Sequence, residues 1–454
     1  MRGLALALAF VAAGAGAVHT RLEWSRPAAD ETLDEAPLEI RLRFSTAIQL
    51  LLTRLELRAP SGALVPLGSP EWVPGSDEHE VRVAILEPLG SGLHQASWGS
   101  AGPDSHAIEG DFAFTVRATQ SVAPTAAAQD SASVVTPLPG PAATTPPAAG
   151  RSAAPPWDPV GVAGRWMFLL GTMLMIGIVA FRWSVVAPSA SRGETALAEA
   201  ARRGLRGIGW AAILMALAGA GVRAYVQLAS TRVGPAAVLF QSPWGWGWWL
   251  GVAAALLFGT GLQLATRTST GRPGWLLASV GALAAGAAPA LAGHAWGYEG
   301  ALRPWVVVAD VLHVLAAGTW MGSLAVLALV ALPLLHRARD ADGRVAVLPL
   351  WVAGFSRVAL AAVAVMAISG GFNAWTRLGS FGALTASEYG RTLLIKLAVL
   401  AGAGALGFYN WRVVKPALSE TPRTSLLRIP ALLELALALG VLLVTSALVV
   451  SPLP

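Results

Sequence analysis

Eight apolar stretches decide what this chain can fold into; they lie near residues 160–182, 205–228, 244–266, 274–296, 304–335, 350–375, 391–412 and 428–451. A bilayer core about 30 Å thick takes about 20 predominantly apolar residues in a helix. Inside lipid, each backbone amide must be satisfied within its own segment, so uninterrupted runs of this length are expected to be helices. Composition agrees, with 55% hydrophobic and 13% charged residues, against about 25% charged in an ordinary soluble domain. The apolar residues concentrate after residue 157, which divides the 454 residues into a soluble part and an eight-helix membrane domain over 157–454.

The chain opens with Met1-Arg2, an apolar run from Leu4 to Ala13 and the small residues Ala15-Gly16-Ala17. That is the pattern of a secretory signal over residues 1–18, so the segment beginning at residue 19 is expected outside the membrane. Within 19–118, "LEIRLRF" (38–44), "RLELRA" (54–59), "HEVRVAI" (79–85) and "DFAFTVR" (111–117) alternate apolar with polar residues between Pro and Gly turns, which predicts a small antiparallel sandwich or barrel. Its arginines are outnumbered by Asp and Glu, so nucleic acid is not an expected partner despite a chain pI of about 10.4. Residues 119–156, rich in Pro, Ala and Thr, offer almost nothing to bury and read as a disordered tether.

Loop charge gives the orientation. If the sandwich is exported, the inner loops carry Arg192, Arg202, Arg203, Arg206, Arg267, Arg272, Arg337, Arg339, Arg344, Arg412, Lys415, Arg423 and Arg428, and the outer ends only Arg223, Arg232, Arg303, Arg377 and Arg391. This agrees with the positive-inside rule, and Trp244, Trp246, Trp248, Trp249, Trp296, Trp305 and Trp375 mark an outer aromatic belt.

There is no cysteine, so soft-metal chemistry must use Met or His. In Asp104-Ser105-His106 a carboxylate and an imidazole stand two apart, on one face if the strand is extended. His19 comes directly after the signal; a chain starting there adds an imidazole and an α-amine. Three nitrogens and one oxygen suit tetragonal Cu(II), and Ni(II) less specifically. The soluble segment has no Met beyond Met1, so it lacks the thioethers that favour Cu(I). On residue types alone a solvated loop explains Asp104 and His106 better than a metal site does, and His79 and His94 read as surface or packing residues.

"HTRLEWSRPAADETLDEAPLEIRLRFSTAI" (19–48) and "GLHQASWGSAGPDSHAIEGDFAFTV" (92–116) resemble the opening and closing motifs of the periplasmic copper-binding CopC family. The resemblance implies a Greek-key β-barrel holding Cu(II) through His19, Asp104 and His106. Two departures stand out: cleavage after Ala17 leaves Val18 ahead of His19, and His94 occupies a position where the family usually has an aromatic. "HVLAAGTWMGSLAVL" (313–327), "FSRVALAAVAVMAISGGFNAW" (355–375), "YGRTLLIKLAVLAGAGALGFYNWR" (389–412) and the "ALLELALALGVLLVTSALV" run ending at 449 are similar to the CopD copper-resistance membrane family. Together the two imply a CopC–CopD fusion concerned with copper uptake or tolerance.

Ionisable groups within the membrane cost about 2.5–3.5 kcal/mol each on insertion scales, so each calls for a partner or a task. Counted at 1.5 Å per residue from the outer helix ends, Asp310 and Lys396 fall at roughly 8–9 Å depth and are expected to pair; Glu434 is expected beside Arg412. His294 at the outer surface, then His313 and Met366 at roughly 13 Å, would give copper, Cu(I) included, soft or borderline ligands in steps inward. No Gly-Lys phosphate loop exists, since Lys396 and Lys415 come after Ile and Val, which argues against ATP-driven pumping.

The expected protein is not an enzyme. It binds Cu(II) outside a bacterial inner membrane and transfers copper inward, with the bilayer and periplasmic copper donors as partners and both the N-terminal domain and the C-terminus on the periplasmic side. The alternatives are a haem-binding electron-transfer protein that reduces captured copper, and a copper-holding sensor or chaperone without transport.

Overall fold

The computed structural model describes residues 20–103, 107–117, 158–190, 195–231, 233–267, 271–337, 341–416 and 424–449. They fall into a β unit within 19–156 and a helical unit from 157 onward. The expected signal and tether, together with His19, Asp104 and His106, lie outside the described residues.

Among the described residues, the β unit has nine strands: β1 Leu22–Arg26, β2 Thr32–Leu33, β3 Glu39–Phe44, β4 Arg54–Arg58, β5 Leu64–Val65, β6 Glu71–Trp72, β7 Glu80–Ala84, β8 Gly92–Ala101 and β9 Ala107–Val116. They form a four-stranded sheet ordered β1-β3-β7-β6 and a five-stranded sheet ordered β2-β9-β8-β4-β5. Period two sets which side chains meet between the sheets. On β3, Ile40, Leu42 and Phe44 are fully buried while Glu39, Arg41 and Arg43 face outward. Leu57, Val81, Val83, Phe112, Phe114 and Val116 join them in one core, where Trp98 meets Phe44 edge-on at 5.4 Å between centroids.

Strand β8 is not among the expected strands, because "GLHQASWGSA" mixes small and polar residues without clean alternation. Its partner supplies the order: β8 pairs with β9 from Gly92↔Val116 to Ala101↔Ala107. Gly110 is required beneath the Trp98 indole, where an added Cβ would come within 2.9 Å of the ring. The described ladder ends at the pair Ala101↔Ala107.

Among the described residues, the helical unit contains eight helices long and apolar enough to cross a membrane: α1 Pro159–Ala190, α2 Ala196–Thr231, α3 Pro243–Arg267, α4 Arg272–Leu291, α5 Arg303–Arg337, α6 Val347–Leu378, α7 Glu388–Val414 and α8 Leu426–Leu448. Each overlaps one expected stretch. Chain neighbours pack on one another, α1 on α2, α3 on α4, α5 on α6 and α7 on α8, as short connections between antiparallel helices dictate, and α1 packs on α5 more extensively than α7 does on α8. α1 crosses α5 at Gly177 and Gly322, where a Cβ on either would meet the other helix's backbone; such small-residue contacts replace hydrophobic drive in lipid. α4 stops at Leu291, short of the expected residue 296, after Pro289 in its last turn. His294 therefore lies in the turn beyond the helix.

Candidate functional site

At one end of the β unit, the segment 45–49 between β3 and the next helical turn ties together two distant parts of the chain. Thr20 Oγ1 lies 2.6 Å from Thr46 Oγ1, both side chains buried. Arg21 N donates to Ser45 Oγ at 3.1 Å and Ser45 N to the Arg21 carbonyl at 2.9 Å. From the other side, Gln49 N donates to the Ala101 carbonyl at 2.8 Å and Gln49 Nε2 to the Gly102 carbonyl at 2.6 Å. Thr20 adjoins His19, and Gly102 precedes Asp104 by two residues. The chain after His19 and the chain before Asp104 are thus fastened to the same five residues, and Ala107, next to His106, pairs with Ala101.

The two other histidines of this unit have separate settings. His94 is fully buried, stacks on Phe114 at 5.5 Å and 13°, and turns Nδ1 to the Gly92 carbonyl at 3.1 Å, while its Nε2 has no hydrogen-bond partner among the described residues. It sits seven residues before the end of β8, about 23 Å along the strand, and fills the aromatic position as packing. His79 is half-buried at the 45–49 end, where the Glu78 carbonyl accepts from Ile48 N and the His79 carbonyl from Phe44 N. Period and spacing give no sign of that proximity.

Inside the helical unit, His313 on α5 faces α6. Its Nδ1 is 3.3 Å from Ser369 Oγ, the Met366 carbonyl is in hydrogen-bonding reach, and the ring lies where a Cβ on Gly370 would be. Met366 is buried in a cluster with Met173, Trp320 and Met321. His313 and Met366 therefore share one level of the α5–α6 seam. His294 is elsewhere: it is 6% exposed, with Nε2 3.0 Å from the Val449 carbonyl. Among the described residues, no three His, Asp or Glu side chains are grouped to hold a metal ion.

Two expected ion pairs are corrected. Asp310 accepts from Arg377 Nη2 at 3.0 Å and from Asn373 Nδ2 at 3.3 Å, not from Lys396. Depth counting places Arg377 at the outer end of α6, but its long side chain reaches one turn past Asn373 to the carboxylate. Glu434 is held by Asn410 Nδ2 at 3.0 Å rather than by Arg412, which is exposed. The last turn of α7, Asn410–Val414, is widened to i→i+5 bonding, which changes the face that each residue presents.

These features define a multi-pass membrane protein carrying a small β-sandwich domain, with a buried polar seam in its helices. Residues 22–117 match the CopC domain model and residues 349–448 the model described as Copper resistance protein D. Copper resistance protein C of Escherichia coli is 30% identical over 120 residues, which is 25% of this chain and 91% of that protein. Copper resistance protein D of Pseudomonas syringae pv. tomato is 28% identical over 267 residues, 57% of this chain and 84% of that protein. The crystal structure of PcoC, a methionine rich copper resistance protein from Escherichia coli, is matched at 29% identity over 22% of this chain and 99% of that one, with a TM-score of 0.19. The chain belongs to the copper resistance family and joins a CopC domain and a CopD domain in one polypeptide.

Proposed function

We propose that the β domain captures Cu(II) outside the inner membrane through His19, Asp104 and His106, and that the helical domain passes copper inward past His313 and Met366. The observation that carries the first half is the fastening of Thr20 and Gly102 to the common segment 45–49. It brings the flanks of all three ligands to one end of the sandwich. The domain's composition supports Cu(II): it has no Met past Met1, leaving nitrogen and oxygen donors that suit that ion.

The tether 119–156 raises the local concentration of captured copper at the membrane domain. The membrane potential favours inward movement of a cation by about 2.3 kcal/mol per charge per 100 mV. His294, whose Nε2 lies 3.0 Å from the Val449 carbonyl, would stand at the outer start of this route. The haem alternative, with His294 and His313 or either of them and another group as ligands, is less favoured because these two rings already face the Val449 carbonyl and Ser369.

Copper accumulation in cells expressing the chain tests the reading. His313→Leu with Met366→Leu is expected to abolish the added uptake while Cu(II) binding outside persists. Unchanged uptake removes the route, and a Soret band in the purified protein replaces it with electron transfer.

A further inference from the structure

A groove of about 580 Å³ opens between α5 and α6. Its walls are apolar, with Leu312 and Leu315 on one side and Ala362 and Val365 on the other. Leu312 is 45% and Val365 40% exposed, so the groove faces the lipid. One end is polar, formed by Ser184, Thr319 and Arg357.

Depth gives that end its meaning. Arg357 lies 18 residues before Trp375 on the same helix, or about 27 Å at 1.5 Å per residue. Trp375 belongs to the outer aromatic belt, so Arg357 stands at the inner edge of a core about 30 Å thick. Val365, eight residues nearer the outside, is about 12 Å further into the lipid. The groove therefore runs from the inner headgroup level toward the midplane, as one acyl chain does.

Arg357 is exposed, and it forms no hydrogen bond or ion pair with any described residue. Arg377 and Arg202, by contrast, are both paired with carboxylates. An unpaired guanidinium at headgroup depth, above an open apolar channel, is complementary to a phosphate carrying a fatty chain.

We propose that this groove binds an anionic phospholipid of the inner leaflet, with the phosphate on Arg357 and an acyl chain along Leu312, Leu315, Ala362 and Val365. The assignment rests on the orientation that the loop charges and the aromatic belt define, and on no copper chemistry.

Native mass spectrometry of the full-length protein, released from detergent in the presence of phosphatidylglycerol or phosphatidylcholine of identical chains, reads it directly. The wild type is expected to prefer phosphatidylglycerol by about fivefold, the roughly 1 kcal/mol that a basic residue near an anionic surface is worth. Arg357→Gln should erase the preference, and Ala362→Trp, which fills the groove, should lower retention of both lipids. Equal retention of the two lipids by the wild type, an undiminished preference in Arg357→Gln, or an uncharged quinone retained in their place would overturn the proposal. Because copper is absent throughout, failure here leaves the metal reading untouched, and the converse holds.

Discussion

The hydroxyls of Thr20 and Thr46 lie 2.6 Å apart in the buried end of the β sandwich. Twenty-six residues separate them in the chain, and the bond holds the residue after His19 against the loop that, through Gln49, also holds Gly102. A hydrogen bond of this kind contributes about 1 kcal/mol. Thr46→Val should therefore leave the sandwich folded but loosen His19, weakening Cu(II) binding by about fivefold. Isothermal titration with Cu(II), alongside thermal unfolding, checks both halves.

Loss of a ligand costs more than loss of an anchor. His106→Ala should lower Cu(II) affinity by about tenfold or more, in the range seen when metal-site partners are removed. The thermal midpoint without metal should stay the same, because the described β8–β9 ladder ends at Ala101↔Ala107.

His94 provides the control. Its buried Nε2 lacks a partner among the described residues, and leaving such a group unsatisfied costs about 1–3 kcal/mol. His94→Phe keeps the stack on Phe114 and removes the orphaned nitrogen, so Cu(II) affinity should stay constant while the thermal midpoint rises. A fall in affinity would make His94 part of the site.

In the helical domain, Asp310 and Arg377 form a buried ion pair, with side chains 18% and 16% exposed. Removing one partner strands a charge in low dielectric and costs about 3–5 kcal/mol. Asp310→Leu or Arg377→Met alone should lower the thermal midpoint in detergent sharply, and the double variant should recover most of the loss. No recovery would assign the pair a task beyond pairing.

Much of this architecture is legible in the sequence, for reasons that differ by element. All eight membrane helices are, because lipid leaves a continuous apolar run no other solution. Strands β3, β4, β7 and β9 are, because one buried face forces alternation on "EIRLRF" and its counterparts. Strand β8 is not: Gly99 and Ser100 pack where the neighbouring Arg54 and Thr53 leave room, a tertiary condition that no local period carries. The expected ion pairs fail for a similar reason. Depth along a helix axis locates a Cα, but the reach of Arg377 and the widened turn at Asn410 decide which side chains meet.

In the proposed site two imidazoles, far apart in the CopC domain's sequence, hold one Cu(II). Pulsed electron paramagnetic resonance of the full-length protein loaded with one equivalent of Cu(II) counts those imidazoles by their nitrogen couplings. Two coupled imidazoles are expected in the wild type and one in each of His19→Ala and His106→Ala. A wild-type signal that neither substitution alters would contradict this site.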